Sequence, residues 1–397
     1  MAFFFFLCGK GRGFCCRLSL SGSLAGYNRQ QRLTLVNVRL KWVKDWTLDT
    51  AVKGKKDLSA ACTVISMIST SPERWLPIYH LAARHKQLGL PANVRVSTFL
   101  RRYPSVFQET RVVECSGNEA PYFRLTHDAE DIRRDEVRAL EQSESDLVDR
   151  LCKLLMLTRD MILPFQIIDQ LRWDMGLPNG YANSLIPKFP ELFELVSLPD
   201  DRLGLKLRVR DDRLAVSALE QNSVLQNVQG RDYGGCLAFP IRFTRGFGLK
   251  KKCMSWLEEW QQLPYTSPYC DPSHLDSRTD VSEKRIVGVF HELLHLTLHK
   301  QTERSNVSNL RKPLSLPQRF SMVFERHPGI FYISKKDDVQ TVVLREAYDG
   351  RQLLNKHPLV GIRERYAAMM KQGFLDKSRG LYKKHDFVDK LAQGNMI

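Results

Sequence analysis

The sequence predicts an α+β fold, predominantly helical, made of three winged-helix-like repeats (helix, helix, β-hairpin) with an inserted basic and aromatic segment. Three observations carry this expectation. A proline-punctuated pattern recurs three times at near-constant spacing. A stretch with apolar residues every three or four positions precedes the first proline of each copy. A pair of short β-prone runs, separated by polar residues, ends each copy.

The pattern itself is degenerate. Leu88-Gly89-Leu90-Pro91 leads to Tyr103-Pro104-Ser105-Val106-Phe107. Met175-Gly176-Leu177-Pro178 leads to Phe189-Pro190-Glu191-Leu192-Phe193. Leu314-Ser315-Leu316-Pro317 leads to His327-Pro328-Gly329-Ile330-Phe331. Each copy reads apolar, small, Leu, Pro, then a gap, then a ring residue, Pro, any residue, an aliphatic and Phe. The proline-to-proline intervals are 13, 12 and 11 residues.

The helix-like stretches before the first proline are 74–87, 161–175 and 284–303. Proline ends such a helix or opens the next. The stretch up to Tyr103, Phe189 or His327 fits a second helix of about three turns. The second proline stops it, because a residue before proline is pushed out of the α region. Hairpins are then expected from 106–113 with 121–126, 192–197 with 204–209, and 330–334 with 339–345. Their turns fall at 116–119, 199–202 and 335–338. The repeats span about 58–130, 145–215 and 280–350, with the insert at 236–278. The pattern residues themselves supply core and helix stops. Ligand contacts are therefore expected from the variable basic positions Arg95, Arg101, Arg102, Lys188, Arg319 and Arg326.

The insert has its own character. Arg242, Arg245, Lys250, Lys251 and Lys252 interleave with Phe243, Phe247, Trp256 and Trp260, offering phosphate neutralisation and stacking surface. Trp256 and Trp260 are four apart and share a helix face, either as packed core or as a stacking platform.

Charge is uneven along the 397 residues. Lys and Arg number 60 against 44 acids, a formal net charge of +16, which suits an acidic polymer as partner. Residues 1–44 hold five Arg, three Lys and no acid, so they carry half of that net charge. This is the composition of an organelle transit peptide, expected at 1–32, and its arginines favour a mitochondrion over a chloroplast. No run approaches the roughly 20 apolar residues of a membrane span. The nine cysteines form no C-x-x-C pair, which argues for reduced thiols over a disulfide frame or a zinc site. A charged tail is expected at 373–397.

Several of these segments resemble one family. Val38-Arg39-Leu40-Lys41-Trp42-Val43-Lys44-Asp45 carries the resemblance, with the Leu-Gly-Leu-Pro to Tyr-Pro-Ser-Val-Phe segment and the Gly-Phe and triple-Lys segment. Leu263-Pro264-Tyr265-Thr266-Ser267-Pro268-Tyr269 and Glu346-Ala347-Tyr348 extend it over roughly residues 36–372. They look like the plant organelle RNA recognition domain, placed at 33–372. The resemblance implies a nuclear-encoded plant protein that binds organellar intron RNA, alone or with other splicing factors, and promotes splicing of group II introns. It implies no cofactor, and no catalytic residue comes with it.

Two other readings compete. His291-Glu292-Leu293-Leu294-His295 matches H-E-x-x-H, in which two histidines on one helix face bind zinc and the Glu activates water. Against a zinc hydrolase, the surrounding helix is apolar over much of its surface and no extended-motif Gly and third His follow. A scaffold helix with surface histidines is the better expectation, and the chain is read as a non-enzyme. The third reading is a protein-interaction scaffold within an organelle ribonucleoprotein.

Overall fold

The computed structural model describes residues 40–52, 54–113, 117–228, 237–244, 246–336 and 339–380. The leader expected at 1–32, Arg245 and the tail from 381 onward lie outside the described residues. The described part is mixed α+β with more helix than strand. It divides into two compact units. One takes Gly54–Glu144 and the chain from Lys356; the other takes Ser145–Asn355 and the chain up to 53.

A short helix, α1 (Trp46–Val52), belongs to the second of these. The first copy of the repeat follows, with α2 (Lys55–Thr70), β1 (Trp75–Pro77), α3 (Ile78–Ala83), α4 (His85–Leu88), α5 (Val96–Arg102), β2 (Phe107–Val113) and β3 (Glu119–Leu125). After α6 (His127–Gln142), the second copy holds α7 (Glu144–Met156), β4 (Ile162–Pro164), α8 (Phe165–Met175), α9 (Tyr181–Ser184), β5 (Phe193–Ser197) and β6 (Leu203–Leu207). Helix α10 (Ala218–Val228) precedes the insert, which contributes α11 (Lys251–Gln261). The third copy holds α12 (Asp280–Leu296), β7 (Gln301–Glu303), α13 (Arg304–Asn309), α14 (Met322–Arg326), β8 (Phe331–Ser334) and β9 (Thr341–Leu344). A small ribbon, β10 (Tyr348–Asp349) with β11 (Gln352–Leu353), and α15 (Pro358–Ser378) complete the described residues.

The three copies share one strand order. The short strand joins the hairpin antiparallel through its second strand, giving β1-β3-β2, β4-β6-β5 and β7-β9-β8. Their backbones repeat in detail. Arg74, Met161 and Lys300 all take positive φ (56°, 54° and 52°) just before the short strand. Gly89, Gly176 and Ser315 do the same after the next helical segment, which explains the small residue of the pattern. Tyr103, Phe189 and His327 each close a helical turn with nearly equal angles. The carbonyl of each accepts the N–H groups three and four residues on, so ring-Pro-x-aliphatic-Phe is one turn built three times.

The hairpins fall where the sequence places them, but the helices do not all do so. Residues 74–77 and 161–164 leave the helix for a left-handed residue and a strand. The expected helix at 284–303 ends at Leu296, and Gln301–Glu303 is the strand β7. Helix α12 is therefore the counterpart of α2 and α7, one element earlier in the plan than expected. The second helix is also shorter than three turns in every copy.

Helix α12 is buried on nearly all sides. The insert packs along it and takes hydrogen bonds from two of its cations. Lys284 Nζ donates to the carbonyls of Gln261 and Leu263, both at 2.7 Å, and Arg285 donates to that of Cys270 at 3.0 Å. Trp256 and Trp260 share one face of α11 and are core; the Trp260 ring lies 4.2 Å from that of His327. In the other unit, α15 packs on α6, α2 and α5, burying Tyr366, and Ser105 Oγ donates to the Met369 carbonyl at 2.8 Å. This helix runs through residues 373–378, which the sequence assigns to the tail.

Candidate nucleic-acid interface

The segment ahead of α1 lies beside β8, held by a buried polar clamp. Asp45 Oδ1 accepts the N–H groups of Thr47 (3.1 Å) and Leu48 (3.3 Å), capping α1. Its Oδ2 accepts from Arg345 Nη1 at 2.9 Å and from the Thr244 hydroxyl at 3.1 Å. The Tyr332 hydroxyl accepts the Asp45 N–H and donates to Asp49 Oδ1 at 2.8 Å, where Ser334 also donates. Burial pushes the Asp45 carboxyl upward, but the Thr47 hydrogen bond and the Arg345 guanidinium outweigh it and hold the group below its usual range.

This clamp sets two tryptophans at the surface. The Trp42 indole donates to the Ile333 carbonyl at 3.1 Å and stacks on Tyr332, yet 37% of the residue remains exposed. Trp46 is 70% exposed. Lys335 Nζ sits 4.7 Å from the Trp42 ring centre and Lys44 Nζ sits 3.7 Å from that of Trp46. Lys41, Trp42, Val43, Lys44, Gly246, Phe247 and Gly248 line a pocket of about 380 Å³. Two residues beyond it, exposed Lys250, Lys251 and Lys252 open α11, whose first N–H groups have no side-chain cap. Flat π faces flanked by ammonium groups can stack unpaired bases and neutralise phosphates. A helix start adds orphan N–H donors for an anion.

The residues expected from sequence divide. Arg95, Lys188, Arg319 and Lys250–Lys252 are exposed. Arg101 donates twice to Glu109, at 2.7 and 2.6 Å, and Arg102 lies 3.7 Å from Asp57, so both are charge-compensated. Arg326 is half-buried, with Asp280 at 3.3 Å and Glu283 at 2.9 Å. The Arg242 guanidinium donates to the Tyr348 carbonyl at 2.6 Å, tying the insert to the third copy. Arg245 lies outside the described residues. Sequence reasoning missed Trp46 and Lys335 and did not single out Trp42. The available signal was Lys41-Trp42-Val43-Lys44-Asp45-Trp46, in which cations and rings alternate around one acid.

In the H-E-x-x-H helix the glutamate and the two histidines have different partners. Glu292 is buried and engaged elsewhere, with the Tyr269 hydroxyl at 2.6 Å, the Ala218 N–H at 2.6 Å and Lys153 Nζ at 3.2 Å. His291 is 1% exposed, not a surface histidine, and with His295 it faces Glu346. Burial lowers the His295 pKa. Burial raises that of Glu346, but the two imidazoles reverse this and take the carboxyl far below its usual range.

Fold and surface together define a protein with a thrice-repeated strand plan and a cationic, aromatic-faced pocket. The plant organelle RNA recognition domain matches residues 43–375, and the chain belongs to that family. It is 34% identical to the mitochondrial protein WHAT'S THIS FACTOR 9 of Arabidopsis thaliana, over 88% of this chain and 89% of that one. It is 31% identical to the chloroplastic WHAT'S THIS FACTOR 1 homolog of the same plant, over 86% and 66%. It is 29% identical to ROOT PRIMORDIUM DEFECTIVE 1, also of Arabidopsis thaliana, over 83% and 82%. No solved structure matches the chain. Among the described residues, no helix is long and apolar enough to cross a membrane.

Proposed function

We propose that this protein is a non-catalytic RNA-binding factor that promotes splicing of group II introns in plant mitochondria by holding intron RNA. The exposed, cation-flanked pair Trp42 and Trp46 carries the reading. Unpaired bases stack on the two indoles, while Lys41, Lys44, Lys335 and Lys250–Lys252 take phosphates. Arg95, Lys188 and Arg319 serve as outlying phosphate contacts. The thrice-repeated strand order supports winged-helix copies as the scaffold. The family membership supports RNA as the ligand, and the mitochondrial relative supports the address over a chloroplast. The intron supplies its own chemistry.

The test is recovery of the tagged protein from isolated mitochondria and plastids, with sequencing of the bound RNA. Enrichment of one or a few intron regions in mitochondria is expected. Trp42→Ala and Trp46→Ala should each weaken binding of that RNA about 10-fold, since stacking is worth roughly 1–3 kcal/mol per base. No enrichment in either organelle would refute the reading.

One observation favours a second role. Leu195, Leu203 and Val209, on and just after the second hairpin, are each at least 60% exposed. Such residues suit a protein partner, so the chain would also act as a scaffold of a ribonucleoprotein with other splicing factors. Partner binding there should resist added salt, whereas RNA binding should not.

A further inference from the structure

We propose that His291, His295 and Glu346 bind one divalent metal ion of the zinc type, as a structural site joining α12 to the turn after β9. The histidines are one helical turn apart, with ring centres 4.6 Å apart. Glu346 lies in the 3-10 turn Arg345–Ala347. The three donor atoms lie within 4.8 Å of one another. His291 Nε2 is 2.8 Å, and His295 Nε2 2.7 Å, from the same oxygen, Glu346 Oε1.

The other carboxylate oxygen, Glu346 Oε2, is buried with no hydrogen-bond partner. A buried carboxylate oxygen left unbonded is uncommon and calls for an explanation. Two imidazole nitrogens and a carboxylate are a three-ligand set that zinc takes, with bonds of about 2.0–2.2 Å and a fourth place for water. Tetrahedral bonds of that length hold donors roughly 3.3 Å apart, so each histidine needs to open from the carboxylate by only about half an ångström. The His295 side chain keeps 21% of its surface exposed, which leaves an ion and a water a way in. Lys300 adds opposing charge nearby, since its amine donates to the His295 carbonyl.

The motif glutamate does not act here. Glu292 faces Tyr269, Lys153 and Ala218, so the ion cross-links two elements and activates no water through that carboxylate. The link reaches the RNA surface by one step in sequence. Arg345, next to Glu346, holds Asp45 and with it the segment bearing Trp42.

The test uses the full chain without a polyhistidine tag, stripped with a chelator and titrated with zinc against a competing chelator. One equivalent should bind, and zinc should raise the melting temperature. Cobalt in place of zinc should give the strong visible bands of a four-coordinate site. His295→Ala and Glu346→Gln, each checked for folding by circular dichroism, should bind at least about 100-fold more weakly. His291 is too buried to replace safely. Absence of stoichiometric binding or of the four-coordinate cobalt spectrum in the wild type would overturn the proposal. So would undiminished affinity in a folded variant; the trio would then be a hydrogen-bonded core group. RNA affinity of the metal-free chain keeps this outcome separate from the fate of the RNA reading.

Discussion

Asp45 and Arg345 stand 300 positions apart in the chain and 2.9 Å apart in space. Both are buried, so removing one partner strands a charge. Arg345→Met and Asp45→Asn should each destabilise the protein by about 3–5 kcal/mol in urea denaturation, because each leaves the other buried charge unpaired. The Asp45 carboxyl titrates lower in the folded state than in the unfolded one. Its contribution is therefore present above the unfolded value of about 4 and is lost as pH falls through the folded value. Trp42 fluorescence should report that loss, and Asp45→Asn should flatten the acid limb. Residue-level roles were the least legible part of the sequence. Arg326 and Arg319 are the same residue type in similar surroundings. Only Glu283 and Asp280, more than 40 positions earlier, distinguish a half-buried, paired guanidinium from an exposed one. Trp42 was hidden for another reason, since it stands at the boundary of the basic leader, where composition speaks for targeting and not for a site.

The left-handed cap after each Leu-Pro-directed helix gives a test at the scale of the element. Gly89 and Gly176 occupy equivalent places, but a Cβ on Gly89 meets nothing within 4 Å, whereas one on Gly176 meets Leu298 Cδ1 at 2.5 Å. Gly89→Ala should cost about 1 kcal/mol, the left-handed penalty alone. Gly176→Ala should cost at least about 2 kcal/mol, because overpacking adds to that strain. Equal costs in denaturant titrations would contradict this account. The caps and ring-proline turns were legible because their side-chain requirements are local. The short strands were not. Three residues are too few to alternate, and their left-handed lead-ins are Arg74, Met161 and Lys300 where glycine would have been a signal. The apolar run of α12 likewise reads straight on toward Glu303, because no Gly or Pro stands between Leu296 and Gln301.

For the molecule as a whole, charge makes a quantitative prediction. If Lys41, Lys44, Lys335 and Lys250–Lys252 each meet a phosphate, log affinity for single-stranded RNA should fall with log salt at a slope of about −4. Replacing Lys250, Lys251 and Lys252 by Ala should flatten it by about 2. An unchanged slope would remove that cluster from the interface. The repeated plan and the basic balance were readable from the chain. The partition was not, because α15 returns to the first copy through contacts that no local pattern announces.

That return has a temporal side. Pro358, where the closing helix starts, follows Glu144 by 214 residues. At roughly 5–20 residues per second of synthesis, the first copy waits about 10–40 s with Tyr366's place in its core empty. Whether the chain emerges from a ribosome or threads through a translocation channel, its earliest domain is the last to be completed. The nascent polypeptide thus stays open to chaperones until α15 has emerged.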